Sequence, residues 1–177
     1  MVTARWEESR SEELMTGIHL RPIDRINLAA CLALRVHESQ VGFVADNARS
    51  LAEAYVNPSL VPLAVYPESA RGWAGDPPAA MVGFTMYEVV AGVGFILRLM
   101  IDRDAQGQGY GRSTVIEVMR RLRLSPEVEL VATSHRRDNV AAARLYASLG
   151  FEPWRIPWAQ DVHDEVYLVH RDPSGNA

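Results

Sequence analysis

The sequence predicts a mixed α/β domain, a single sheet with helices on its faces. Three observations carry that prediction. Apolar residues switch repeatedly between strand and helix spacing, giving the order β-α-α-β-β-β-α-β-α-β-β. An apolar strand runs straight into three alternate glycines, Gly107, Gly109 and Gly111, and a helix follows at once. The chain has 177 residues, 48% of them hydrophobic and 23% charged, which suits one globular domain. That domain is expected over 18–171, between a polar N-terminal tail (1–17) and a C-terminal tail (172–177).

The elements follow in order. Ile18 to Ile23 alternates apolar and polar residues as a short strand does. Asp24 caps a helix running towards Arg35, and a second helix starts after Asp46 or Asn47 and covers Ser50 to Val56, closed by Asn57-Pro58. Leu60 to Tyr66 is strand-like, and Pro67 to Pro78, rich in Pro and Gly, is a loop. Ala80 to Val89 and Gly94 to Asp102 read as a hairpin turning at Ala91-Gly92. A helix spans Gly109 to Leu124, with Val115, Val118, Met119 and Leu122 on one stripe, and Ser125-Pro126 ends it. Val128 to Thr133 is a strand, Asn139 to Leu149 a helix stopped by Gly150, and Phe151 to Ile156 and Glu165 to His170 are the last strands.

Composition excludes several chemistries. All 18 basic residues are arginine and the formal net charge is -4, so a general polyanion binder is disfavoured and no nucleic-acid partner is expected. Without lysine there is no Schiff-base amine and no P-loop. Cys31, set among Leu and Ala, reads as a buried structural thiol. The five histidines have no zinc spacing, so no metal is expected. No apolar run approaches the ~18 residues of a spanning helix, and the N-terminus lacks a signal-peptide core. No membrane partner and a cytoplasmic location are therefore expected.

The glycine cluster is the informative stretch. Glycine lets backbone approach a ligand closely, and the helix that follows presents unpaired N–H groups and the positive end of its dipole. Together these make a cradle for phosphate or diphosphate. A Rossmann fingerprint fails because Arg112 stands where its last glycine belongs. A kinase-type glycine loop joins two strands, not a strand and a helix.

Gln106-Gly107-Gln108-Gly109-Tyr110-Gly111 resembles the Q/R-x-x-G-x-G/A signature of the GNAT family of N-acetyltransferases. Asn139 with Leu145-Tyr146 and Gly150-Phe151 is similar to that family's second conserved region. The resemblance covers roughly Ile18 to Arg171. It implies a mixed, mostly antiparallel sheet of six to seven strands with helices on both faces. It also implies acetyl-CoA as co-substrate, its diphosphate held by the backbone from Gln106 through Gly107, Gln108, Gly109, Tyr110 and Gly111 to Arg112. On the same resemblance, backbone of Leu99, Met100 and Ile101 pairs with pantetheine and polarises the thioester. Asn139 bonds the pantetheine arm, while Tyr146 protonates the departing thiolate. Asn139 and Tyr146 are seven residues apart and share a helix face, and Asn139 is equally a helix N-cap.

The expected reaction is acetyl transfer to a primary amine of a small molecule. A non-catalytic acyl-CoA sensor, or transfer to a peptide or protein amine, are the alternatives. Glu88 is the first candidate base, His135 the second and a water chain the third. Gln40 to Tyr55 resembles the bacterial spermine/spermidine acetyltransferase-like subfamily, in which this segment walls the acceptor pocket; polyamine is thus one candidate acceptor. Glu38, Asp46, Glu53, Glu88, Asp161, Asp164 and Glu165 are the carboxylates available to such a ligand. Against it, Leu97 stands before Arg98 where those enzymes carry an acidic residue, and Trp154 and Trp158 suit an apolar amine instead. Dimerisation is common in the family, which leaves a homodimer open.

Overall fold

Capping chemistry sets the first helices. In the computed structural model, which describes residues 16–68, 80–155 and 164–171, strand β1 (Ile18–Pro22) leads to helix α1 (Leu28–Ala33). Asp24 Oδ1 accepts from the backbone N–H of Ile26 (2.7 Å) and Asn27 (3.1 Å). The Asp24 cap therefore holds an initial turn, and the regular helix begins only at Leu28. It stops short of Arg35 because Leu34 adopts extended backbone, ψ 140°. After a 3₁₀ turn at Glu38–Gln40, α2 (Asn47–Val56) starts behind Asp46, whose side chain accepts from Arg49 N–H at 2.7 Å.

Strand β2 (Val61–Pro67) precedes the hairpin of β3 (Gly83–Val90) and β4 (Val93–Ile101). Ala91 and Gly92 form its turn at φ 49° and 82°, the left-handed pair that matches strand twist. A 3₁₀ turn at Arg103–Ala105 leads to α3 (Tyr110–Leu122), then β5 (Leu130–Arg136), α4 (Val140–Ser148), β6 (Glu152–Pro153) and β7 (Glu165–His170). Beyond shifts of one or two residues, three boundaries differ from the sequence reading. β3 begins at Gly83 rather than Ala80, and β6 is two residues long. β5 runs on to Arg136, so Ser134 and His135 are strand residues held by β7. The expected tails, most of the Pro67–Pro78 loop, Ile156, Trp158 and Asp161 lie outside the described residues.

The seven strands lie in the order β1-β2-β3-β4-β5-β7-β6, antiparallel at every step except β4–β5. Side chains alternate across the sheet, giving two cores. Leu63 and Val65 of β2 pack with Val115, Val118 and Leu122 of α3, while Ala64, Phe84 and Met86 pack with Cys31 and Leu34 at α1. Helices thus cover both faces, as predicted. One residue breaks the alternation. The β3–β4 register passes from Met86↔Arg98 to Tyr87↔Ile96, leaving Leu97 as a β-bulge. Ile96 consequently faces α3, whereas Met100, four residues on, faces α1.

Candidate active site

The bulge coincides with a fork in the sheet. β4 pairs with β5 only from Val93↔Leu130 to Ile96↔Thr133. Thr133 Oγ1 closes the last rung by donating to Ile96 O at 3.0 Å. Beyond it, Leu97–Ile101 keeps β3 as its one ladder partner, while Ser134–Arg136 stays with β7. A cavity of about 280 Å³ fills the fork. Leu99, Met100 and Ile101 form one wall, and Asn139, Ala142 and Tyr146 at α4 form the other. The strand edge that faces it has no ladder. Apart from Leu97 O, which accepts from Arg98 Nη1 (3.0 Å), and Ile101 O, which accepts from Gln106 Nε2 (3.0 Å), its backbone groups are available to an extended ligand.

The glycine loop closes one end. Gln106, Gly107, Tyr110 and Gly111 line the cavity. Gly107 and Gly109 hold φ 76° and 85°, a region that side chains disfavour, and a Cβ on Gly107 would meet nothing within 4 Å. Gly109 is the N-cap of α3 and has no side chain to satisfy the first N–H groups, which therefore remain for a ligand. These features fit a diphosphate. Three members of the predicted cofactor set do not line the cavity. Gln108 donates to Asp104 O (3.3 Å), Gly109 turns the backbone behind it, and Arg112 ties α3 to α4 through Ser148 Oγ at 2.9 Å. The Gln106 side chain is also committed, exchanging hydrogen bonds with Gln40 at 2.8 and 3.0 Å.

Two titratable rings meet at the fork. Tyr146 is 4% exposed, and burial raises its hydroxyl above the usual tyrosine range, partly offset by a hydrogen bond with Thr133. It stacks on His135, with centroids 6.4 Å apart and planes at 18°. His135 Nδ1 lies 2.8 Å from Arg136 O. A carbonyl only accepts, so Nδ1 carries a proton, and in the neutral ring Nε2 is the nitrogen with the lone pair. Asn139 serves as the α4 N-cap, its Oδ1 accepting from Ala142 N–H at 3.1 Å. Its amide nitrogen is left to donate at the cavity wall.

A second cavity, about 340 Å³, adjoins the first and shares Phe43, Val44, Leu97, Ser134 and His135 with it. Arg49, Arg98, Arg136 and Glu165 stand in its walls. Glu88, the first candidate base, lines neither cavity and lies 3.3 Å from the Ser59 hydroxyl, which donates to it. Asp46 caps α2, Glu38 is exposed, and Trp154 donates its backbone N–H to Tyr167 O (2.8 Å) away from both cavities. Thr133 had no sequence signal of its own, and Arg98 and Glu53, each named from the sequence, gave no sign there of their pairing at 2.8 Å. Their roles arise from the fork and the bulge.

Similar proteins agree with this geometry. The pattern of the acetyltransferase (GNAT) family matches residues 49–151. A mycothiol acetyltransferase of Kineococcus radiotolerans is 30% identical over 146 residues, 78% of this chain and 44% of that protein, so the chain spans less than half its length. A spermine/spermidine N(1)-acetyltransferase of Bacillus subtilis is 26% identical over 77% of this chain and 88% of that one. The crystal structure of Arabidopsis thaliana NAA60 in complex with acetyl-CoA has the same fold, with TM-score 0.64 and 16% identity over 87% of this chain and 98% of that one. The matched pattern runs from α2 through both walls of the fork to Phe151, and the chain belongs to the acetyltransferase (GNAT) family.

Proposed function

We propose that this acetyltransferase moves the acetyl group of acetyl-CoA to a primary amine of a small molecule. One observation carries the reading: a single cavity joins the glycine cradle to the paired rings of Tyr146 and His135. When bound, acetyl-CoA supplies an activated acyl carbon and a thiolate leaving group. The backbone of Gly107, Tyr110 and Gly111 would hold its diphosphate, and Leu99 to Ile101 with Asn139 would hold the pantetheine arm. His135 Nε2 takes a proton from the ammonium form of the acceptor, which frees the nitrogen lone pair to form the C–N bond as the C–S bond breaks. The second proton shed by that nitrogen returns to Tyr146 once the phenol has protonated the sulfur. Tyr146, kept protonated by burial, donates its proton where the sulfur departs.

Between the two candidate bases, His135 is favoured over Glu88, because it shares the cavity with Tyr146 and Glu88 does not. The Bacillus relative supports a polyamine acceptor, whereas the arginines of the second cavity oppose one. Thermal-shift measurements with acetyl-CoA, CoA and NAD, followed by thiol release on an amine panel, test the proposal. Stabilisation by acetyl-CoA with amine-dependent thiol release is expected. Stabilisation by NAD alone would overturn the cofactor assignment. Acetyl-CoA binding with no thiol release from any amine would mark a sensor instead.

A further inference from the structure

We infer that the acceptor amine also carries an oxyanion, a carboxylate or a phosphate, and that three arginines receive it. The inference rests on the acetyl-transfer reading and names the substrate class of that site. An amine within reach of His135 Nε2 must lie where the two cavities meet, at Phe43, Leu97 and Ser134. From there the rest of the molecule extends into the second cavity, among Arg49 of α2, Arg98 of β4 and Arg136 of β5.

Four carboxylates, Glu53, Asp138, Asp164 and Glu165, stand near the three arginines, and their placement rather than their number disfavours a polyamine. Glu53 is divided between Arg49 Nε (2.9 Å) and Arg98 Nη2 (2.8 Å), so one anion serves two cations. Arg98 Nη1 donates to Leu97 O at 3.0 Å, while its Nε is buried with no hydrogen-bond partner. A buried unpaired donor on a cation is costly, and a turn of the guanidinium towards an oxyanion in the cavity would give it an acceptor. Arg136 has Asp138 at 3.4 Å and Asp164 at 3.7 Å, both long contacts. Glu165, the one carboxylate among the described residues of the cavity wall, lies directly across the ladder from Arg136. The second ammonium of a diamine would enter among three guanidinium groups. A carboxylate or phosphate would instead meet the planar forks that bind oxyanions best. The Leu97 bulge supplies this arrangement, because it places Leu97 and Arg98 together on the α2 side of the strand.

Four amines of similar reach test the inference: butylamine, 4-aminobutyrate, 2-aminoethyl phosphate and 1,4-diaminobutane. We expect kcat/KM for at least one of the two acids to exceed that for butylamine by about tenfold or more, with the diamine lowest. The KM of the preferred acid should rise with salt. Arg49→Glu and Arg136→Glu should each lower the ratio of acid to diamine by about tenfold or more. Calorimetric titration into CoA-saturated protein reads the same order where turnover is slow. Preference for the acid over the phosphate, or the reverse, identifies which oxyanion fits. Preference for the diamine over both acids would overturn the inference and leave acetyl transfer standing. No stabilisation by acetyl-CoA and no thiol release would instead fail the transfer reading itself.

Discussion

Tyr146 and Cys31 show how burial assigns opposite roles to two weak acids. Both are pushed up by desolvation, Cys31 to about 11 against a small opposing effect from Asn47. The thiol has a side-chain hydrogen bond with Asn47 and no place in either cavity wall, so it remains a neutral core group. The phenol lines the fork, where the proposed reaction uses it, still protonated, as the proton donor. Tyr146→Phe keeps the ring against His135 and Phe151. It should lower kcat by about 10²–10⁴ with little change in the KM for acetyl-CoA or in the melting temperature. Steady-state kinetics and a thermal melt check this, and an unaltered kcat would reduce Tyr146 to packing. The burial of Cys31 was legible in the sequence from its apolar neighbours, and the place of Tyr146 beside the cavity from its motif. His135 was harder to place. Its neighbour Arg136 holds the proton on Nδ1 only because β5 continues past Thr133, and strand length is set by the β7 ladder rather than by local spacing.

At the scale of elements, the bulge in β4 and the N-terminus of α3 shape the site. Deleting Leu97 would restore strict alternation through Ile96, Arg98 and Leu99, and would let β4 continue alongside β5. The variant should fold, as circular dichroism would show, yet lose acetyl-CoA affinity by calorimetry; retained affinity would deny the bulge its part in opening the fork. Helix α3 has a different anchor. Glu117 holds Arg120 (2.7 Å) and Arg121 (2.8 Å), and Arg121 in turn reaches Leu20 O of β1 at 3.2 Å. The Arg120 hydrogen bond, aided by Arg121 and opposed by burial, lowers its carboxyl from 4.5 to about 2. A depressed carboxyl stabilises the fold above its unfolded value, and that stability is lost as pH falls through the folded one. Glu117→Gln should therefore cost about 1 kcal/mol at neutral pH. Urea midpoints of variant and parent should converge as pH drops from 4.5 towards 2. A constant difference across that range would contradict the assignment.

The whole molecule is one sheet with a core on each side. Phe84 is fully buried towards α1, and Leu122 is 1% exposed towards β4. Phe84→Ala should destabilise by about 3–5 kcal/mol and Leu122→Ala by about 2–5 kcal/mol. Because both cores rest on the same strands, each variant should still unfold in one cooperative step by fluorescence and circular dichroism together. Two separated transitions would show independent cores. Fold class and element order were readable because periodicity, Asp46, Asn139 and the Ala91-Gly92 turn act locally. The acceptor side was not. Arg49, Arg98 and Arg136 lie on three elements far apart in sequence, and only the tertiary arrangement shows that Glu53 is engaged with two of them. The fork, finally, has kinetic meaning. On the proposed function one reactant is held at Gly107 and Tyr110 and the other among the arginines, so neither would have to vacate before its counterpart arrives. No thiol lines either chamber to store an acyl group in between. Double-reciprocal plots should therefore intersect rather than run parallel. A compound joining both halves across His135 should compete with each substrate in turn.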